Sequence, residues 1–200
     1  MLAWREVADP SLGLEGFEGQ DCHRRLGLAS RTDLATLAVV FPDRDPDTGK
    51  ARYAAFARCY LNEAAVLEAR NPSYPGWAAE GHLAVTPGNE TDFDRIEGDV
   101  LELCRRFRVA SVGFDPWQST QMAQRLRAEG VNMLEFRATT QNFSPAILEL
   151  DAACAPAGSG TTAVRCWSGA WATWSASRTG AATSTLQNKG RSRRSTPPWR

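Results

Sequence analysis

Val109-Ala110-Ser111-Val112-Gly113-Phe114-Asp115-Pro116-Trp117 is the stretch whose reading decides the fold. It reads as a short apolar strand that ends on an aspartate, and the proline that follows cannot extend a strand ladder. A carboxylate at the end of a buried strand faces a crevice. Strand ends are where open α/β sheets receive ligands and metals. The plainer reading of Asp115 is an N-cap for a helix starting near Gln118. Both readings put a β-to-α transition here.

Outward from this stretch the chain alternates. Upstream, Ile96, Val100, Leu103, Cys104 and Phe107 recur at helical spacing within Asp92–Phe107, with Thr91 or Asp92 as the cap. Downstream, Gln118–Glu129 is expected to be a helix ending at Gly130, Val131–Phe136 a strand, and Ser144–Leu150 the start of another helix. The first half reads differently. Leu26–Leu28, Asp33–Phe41 and Arg52–Leu61 are expected strands, with Pro42–Lys50 a turn-rich loop, so they form an antiparallel meander. A short helix is expected near Pro10–Glu18 and another at Glu63–Arg70. Residues 62–81 otherwise read as irregular, and Leu83–Val85 as a small extended piece. The order β-β-β-α-β-α-β-α predicts an α/β fold: a mixed sheet, an antiparallel meander followed by β-α-β units, with helices on both faces. That is the order of the ribonuclease H-like fold.

The 200 residues suffice for one domain with a core. Lysines plus arginines and aspartates plus glutamates number 23 each, but the balance is uneven along the chain. All the acids lie at or before Asp151. From Ala152 to Arg200 there are seven bases, four tryptophans, no Ile and no Phe. Such a segment cannot build a periodic apolar face. The expected organisation is an entry segment at 1–23, the folded domain at 24–151 and an irregular, disordered tail at 152–200. The five cysteines (Cys22, Cys59, Cys104, Cys154, Cys166) show no metal-binding spacing and no Cys-x-x-Cys pair. With an odd count and no signal peptide, they point to reduced thiols and a cytoplasmic setting.

Four phrases in order resemble the nuclease domain of the large terminase subunit of tailed phages. They are Leu28-Ala-Ser-Arg-Thr-Asp33-Leu-Ala; Leu83-Ala-Val-Thr-Pro-Gly-Asn89 leading to Asp92-Phe-Asp94-Arg-Ile-Glu97; Phe114-Asp115-Pro116-Trp117 followed by Gln121–Gly130; and Phe136 through Ser144-Pro145. The resemblance covers about residues 4–151. It implies a metal-dependent endonuclease that cuts concatemeric viral DNA during genome packaging. It also implies double-stranded DNA as substrate, and the portal and small terminase subunit as partners in a bacterial host cell. Two Mg²⁺ or Mn²⁺ ions held by clustered carboxylates would stabilise the attacking and leaving oxygens of an in-line displacement. Carried over residue by residue, Asp115 is the strand-end acid and Glu97 the helix carboxylate, with Asp33 in the hairpin able to reach the mouth of the site. The bland readings are a solvated helix acid for Glu97 and a turn role for Asp33. Asp92, Asp94 and Asp99 read as capping or surface acids.

The sequence departs from this family in three ways. Gly27, in Arg24-Arg25-Leu26-Gly27-Leu28, stands where the family has a first-strand aspartate. A last-helix aspartate would fall beyond residue 151, where there is no acid. The tail composition resembles a GC-rich gene read out of frame, with a shift expected near Ala152–Cys154. No Gly-x-x-x-x-Gly-Lys-Ser/Thr phosphate loop occurs, so the chain reads as a fragment beginning just before the nuclease domain. The expected function is therefore an impaired terminase nuclease domain. The alternatives are a non-catalytic DNA- or portal-binding remnant, or another ribonuclease H-like nuclease such as a resolvase or transposase core.

Overall fold

A computed structural model describes residue 9 and residues 11–68, 71–153 and 163–166. The strands are β1 (Asp21–Gly27), β2 (Ala35–Arg44), β3 (Ala51–Asn62), β4 (Leu83–Thr86), β5 (Arg108–Phe114), β6 (Met133–Glu135) and β7 (Ala163–Cys166). The helices are α1 (Glu63–Leu67), α2 (Tyr74–Ala79), α3 (Phe93–Arg106), α4 (Pro116–Ala128) and α5 (Thr140–Ala153), preceded by a 3₁₀ turn at Leu14–Phe17. One sheet runs in the order β4-β3-β2-β1-β5-β6, with β7 also paired to β3. β1–β2 and β2–β3 are antiparallel, whereas β1–β5, β5–β6 and β3–β4 are parallel. This is the expected mixed α/β sheet, a meander extended by β-α-β units.

Alternation explains the layering. Cys22, Arg24 and Leu26 of β1 share a buried face with Leu37, Val39 and Phe41 of β2, Phe56 and Tyr60 of β3, and Val112 and Phe114 of β5. Ile96, Val100 and Leu103 of α3 and Met122, Ala123 and Leu126 of α4 join the same cluster. Phe41 packs edge-on against Phe56 and Phe107 and stacks on Phe17. The opposite face carries Cys59 and Leu61, which pack with Ala65 and Val66 of α1 and Leu83 of β4. It also carries Tyr53, whose hydroxyl donates to Glu149 of α5 at 2.8 Å. Helices therefore cover both faces, α3 and α4 on one and α1, α2 and α5 on the other.

The core contains a charged anchor. Tyr60 Oη donates to Asp99 Oδ2 at 2.8 Å, and Arg58 lies 3.0 Å from the same oxygen. Arg95 approaches Asp99 Oδ1 at 3.5 Å. Burial first, and then the Asp99 carboxylate, push the Tyr60 hydroxyl well above its ordinary pKa. Asp99 is thus an interior partner that pins α3 to β3, rather than a capping or surface acid.

Several boundaries differ from expectation for identifiable reasons. β1 begins five residues earlier than expected because one inward position is Arg24, which disguises the apolar alternation. Its Nη1 donates to the Val100 carbonyl and to Cys104 Sγ. β2 runs on through Pro42 to Arg44 against Ala51–Tyr53, so the loop is only Asp45–Lys50. Asp45 accepts from the Asp47 and Thr48 amides to close that loop, and Gly49 takes a φ of 67°. α2 falls where irregular chain was expected, because Pro75 and Gly76 mask a helix whose first turn tolerates a proline. α5 starts at Thr140 and passes through Pro145. Within the tail expected to be irregular, Ala163–Cys166 forms β7 parallel to Arg52–Ala55. Ala152 and Ala153 end α5, while residues 1–8 of the entry segment and the rest of the tail, with Cys154 at the expected frame boundary, lie outside the described residues.

Candidate functional site at the strand ends

Leu26 pairs with Phe114 at the end of the parallel β1–β5 ladder, and the next residues are Gly27, still paired with Thr36 of β2, and Asp115, which leaves β5. Gly27 lies on the same face of β1 as Arg25, two residues before it. A Cβ placed on Gly27 would have no heavy atom within 4 Å. There is open space at the position where the family resemblance implies a carboxylate.

Asp115 does what its plainer reading required. It caps α4, with Oδ1 accepting from the Trp117 amide at 2.9 Å. Its Oδ2 accepts from the Ala138 amide at 2.8 Å, which ties the β6–α5 connection to the end of β5. These two amides, with the Arg25 and Arg137 guanidiniums contributing less, hold the carboxyl below the usual aspartate range. Arg25 is half-buried. Its guanidinium carbon sits 4.5 Å from the centre of the Phe136 ring and 5.2 Å from that of Phe143, and Nη2 donates to the Phe136 carbonyl at 3.4 Å. Phe136 and Phe143 meet edge-to-face at 5.6 Å. Arg137 also bonds Glu135 at 2.8 Å. Trp117, at the start of α4, is exposed.

Glu97 takes different partners. Its Oε2 accepts from Arg125 Nε of α4 at 2.7 Å, and Arg125 also bonds Asp94 at 3.0 Å. Glu97 therefore faces α4 across the helical layer, while Asp115 faces Arg25 and the β6–α5 connection. The two carboxylates share no partner. Asp33 is exposed in the β1–β2 connection, and Asp92 caps α3 by accepting from the Arg95 amide. Among the described residues no three His, Cys, Asp or Glu side chains gather as a metal-holding group. Both Asp115 oxygens already accept backbone hydrogen bonds, and Arg25 already supplies positive charge beside them. The described donors do not fit a two-ion centre.

Arg25, Arg137 and the Ala138 amide were not singled out from the sequence. The available signal was the two-residue period of β1, which puts Arg25 on the face of Gly27. It is hidden because Arg24, at an inward position, interrupts the apolar alternation of β1.

The mixed sheet with helices on both faces is a ribonuclease H-like α/β fold that matches a terminase nuclease domain. The chain is similar to "Protein YmfN" of Escherichia coli (strain K12), 28% identical over 161 residues, which cover 76% of this chain and 35% of that protein. It is also similar to "Terminase, large subunit" of Enterobacteria phage HK97, 27% identical over 132 residues, which cover 63% of this chain and 25% of that protein. The crystal structure of the HK97 bacteriophage large terminase matches with a TM-score of 0.63 at 21% identity, over 82% of this chain and 33% of that one. The chain thus spans about a third or less of the length of these relatives. No protein-family model matches it. Among the described residues no helix is long and apolar enough to cross a membrane.

Proposed function

We propose that the chain is a terminase-type nuclease module of phage origin, built to engage double-stranded viral DNA during genome packaging, with its cleavage centre impaired. The observation that carries this reading is that Gly27 and Asp115 each follow the last pair of the β1–β5 ladder, Leu26 and Phe114, in a chain similar to the HK97 large subunit. Gly27 supplies no side chain there, although space for a Cβ exists. Cutting DNA concatemers with Mg²⁺ or Mn²⁺ is what the family resemblance implies. Asp115 and Glu97 are the residues it nominates, and Asp33 is the further candidate. The portal and the small terminase subunit are the corresponding partners, in the cytoplasm of a bacterial host.

Ligand number supports the impairment. An in-line displacement with two ions needs several carboxylates, and here Asp115 and Glu97 are each engaged by other partners. Incubation of purified chain with supercoiled plasmid and Mn²⁺ or Mg²⁺ is expected to give little or no nicking. Gly27→Asp alone is expected to recover little. Gly27→Asp joined to the C-terminal segment of the HK97 large subunit should recover much more, because groups acting as one catalytic unit are non-additive. Robust metal-dependent nicking by the unmodified chain overturns the impaired reading.

A second reading is a module of the same fold that binds DNA or the portal without cutting. The commitment of both Asp115 oxygens to backbone amides favours it. A gel shift with duplex DNA that is indifferent to divalent ions, with no cleavage in any variant, selects it over the first.

A further inference from the structure

We propose that Arg25 is a resident organic cation at the strand-end site, occupying by charge the position a divalent ion would take beside Asp115. The inference rests on the functional reading above only in taking Gly27 as the place of a missing ligand. Three observations carry it. The guanidinium lies on the Gly27 face of β1 over Gly113, its Nη1 3.9 Å from where a Gly113 Cβ would stand, and Asp115 follows Gly113 by two residues on that face. It is held there by the Phe136 and Phe143 rings at 4.5 and 5.2 Å and by its bond to the Phe136 carbonyl. The segment that carries those rings is itself tied to Asp115 through the Ala138 amide.

The arrangement closes on itself. Asp115 bonds the β6–α5 connection at Ala138, that connection and the first turn of α5 supply Phe136 and Phe143, and these rings hold Arg25 on the face of β1 that leads to Gly27. A cation enclosed by rings is stabilised by their faces as well as by the nearby acid. An arriving divalent ion would meet a carboxylate whose charge is already balanced, and would have to be bound beside a fixed positive group. Like charges at such range oppose each other strongly outside bulk water. Filling the Gly27 position with a carboxylate is therefore insufficient by itself to create a metal site. Arg25 is a positioning residue in this scheme, acting through Asp115 and the aromatic walls.

The test measures Mn²⁺ binding directly, by loss of the free-ion electron paramagnetic resonance signal, on the full chain and three variants: Gly27→Asp, Gly27→Asp/Arg25→Gln and Gly27→Asp/Arg25→Lys. The wild type and Gly27→Asp should bind Mn²⁺ weakly. The Gln double variant should bind at least about tenfold more tightly than Gly27→Asp, and only this variant should gain a Mn²⁺-dependent rise in its thermal midpoint. The Lys double variant keeps the charge and should resemble Gly27→Asp. Should the Gln variant fail to fold, the Lys variant still decides: tight Mn²⁺ binding there overturns the proposal. Equal affinity in Gly27→Asp and the Gln double variant also overturns it, whether that affinity is high or negligible. The readout separates this proposal from the nuclease reading. A Gly27→Asp chain carrying the HK97 C-terminal segment that recovers no nicking, while the Gln double variant binds Mn²⁺, sinks only the nuclease reading, and tight binding by Gly27→Asp with Arg25 in place sinks only this one.

Discussion

Tyr60 and Asp99 join the third strand to the third helix through a 2.8 Å hydrogen bond inside the core, with Arg58 closing the charge balance at 3.0 Å. The bond fixes the N-terminal half of α3 over the centre of the sheet. Because α3 leads directly into β5, the anchor also helps set the strand that ends at Asp115.

Tyr60→Phe should cost about 1–2 kcal/mol, since it leaves a buried carboxylate short of one donor. Asp99→Ala should cost more, about 3–5 kcal/mol, because it strands the buried Arg58 charge. Urea denaturation of both variants checks the ranking. A Tyr60→Phe loss larger than that of Asp99→Ala would contradict the anchor.

The raised Tyr60 pKa has a pH consequence. In the folded state the hydroxyl keeps its proton where the unfolded chain has released it, so the contribution is fully present below the ordinary tyrosine value of about 10. It is lost as pH rises through the higher folded value. Wild-type stability should therefore fall above about pH 10, and Tyr60→Phe should show a shallower fall. Equal slopes in alkaline thermal melts would remove the argument.

Asp115→Ala should lose about 1–2 kcal/mol as the cap of α4 is removed, and Asp115→Asn should lose less. Asp115 has a depressed folded pKa, so its contribution is present above the ordinary aspartate value of about 3.9 and disappears as pH falls through the lower folded value. The acid limb of the stability profile should flatten in Asp115→Asn. Hydrogen exchange should show the Trp117 and Ala138 amides losing protection together in Asp115→Ala. Unchanged protection at Ala138 would refute the second tie.

Gly27→Asp should fold. A Cβ added at Gly27 meets no heavy atom within 4 Å, and Arg25, on the same face of β1, offsets the added negative charge. A loss of about 1 kcal/mol or less is expected from urea titration. A loss of about 4 kcal/mol would mean that the space is closed in solution.

Glu97→Gln should lower stability only slightly, because its partner Arg125 keeps 43% of its side chain in solvent and ion pairs so screened contribute little. A double-mutant cycle with Arg125→Met isolates the pair. A coupling as large as that of the buried Asp99–Arg58 pair would contradict this.

Periodicity by itself determined the architecture: three early strands, then helices and strands in alternation around Val109–Phe114. Local composition determined the caps, since Asp92 and Asp115 precede helices in a form that backbone amides require. It also exposed the loss of acids after Asp151 and the glycine at position 27. What only the tertiary structure decided was the company each charge keeps. Arg24 and Asp99 read as surface charges by type, yet both lie inside, because a guanidinium can bond a helix carbonyl and a thiol while a carboxylate can share a tyrosine and an arginine. Glu97 and Asp115 looked equivalent as acids near a strand end. Their different partners follow from helix rotation, which turns Glu97 to Arg125, and from strand pleating, which puts Arg25 and Asp115 on one face of the sheet end. Neither rotation nor pleat direction relative to a distant segment is encoded in local pattern. Both emerge when β1, β5 and the Phe136–Phe143 connection pack into one sheet end.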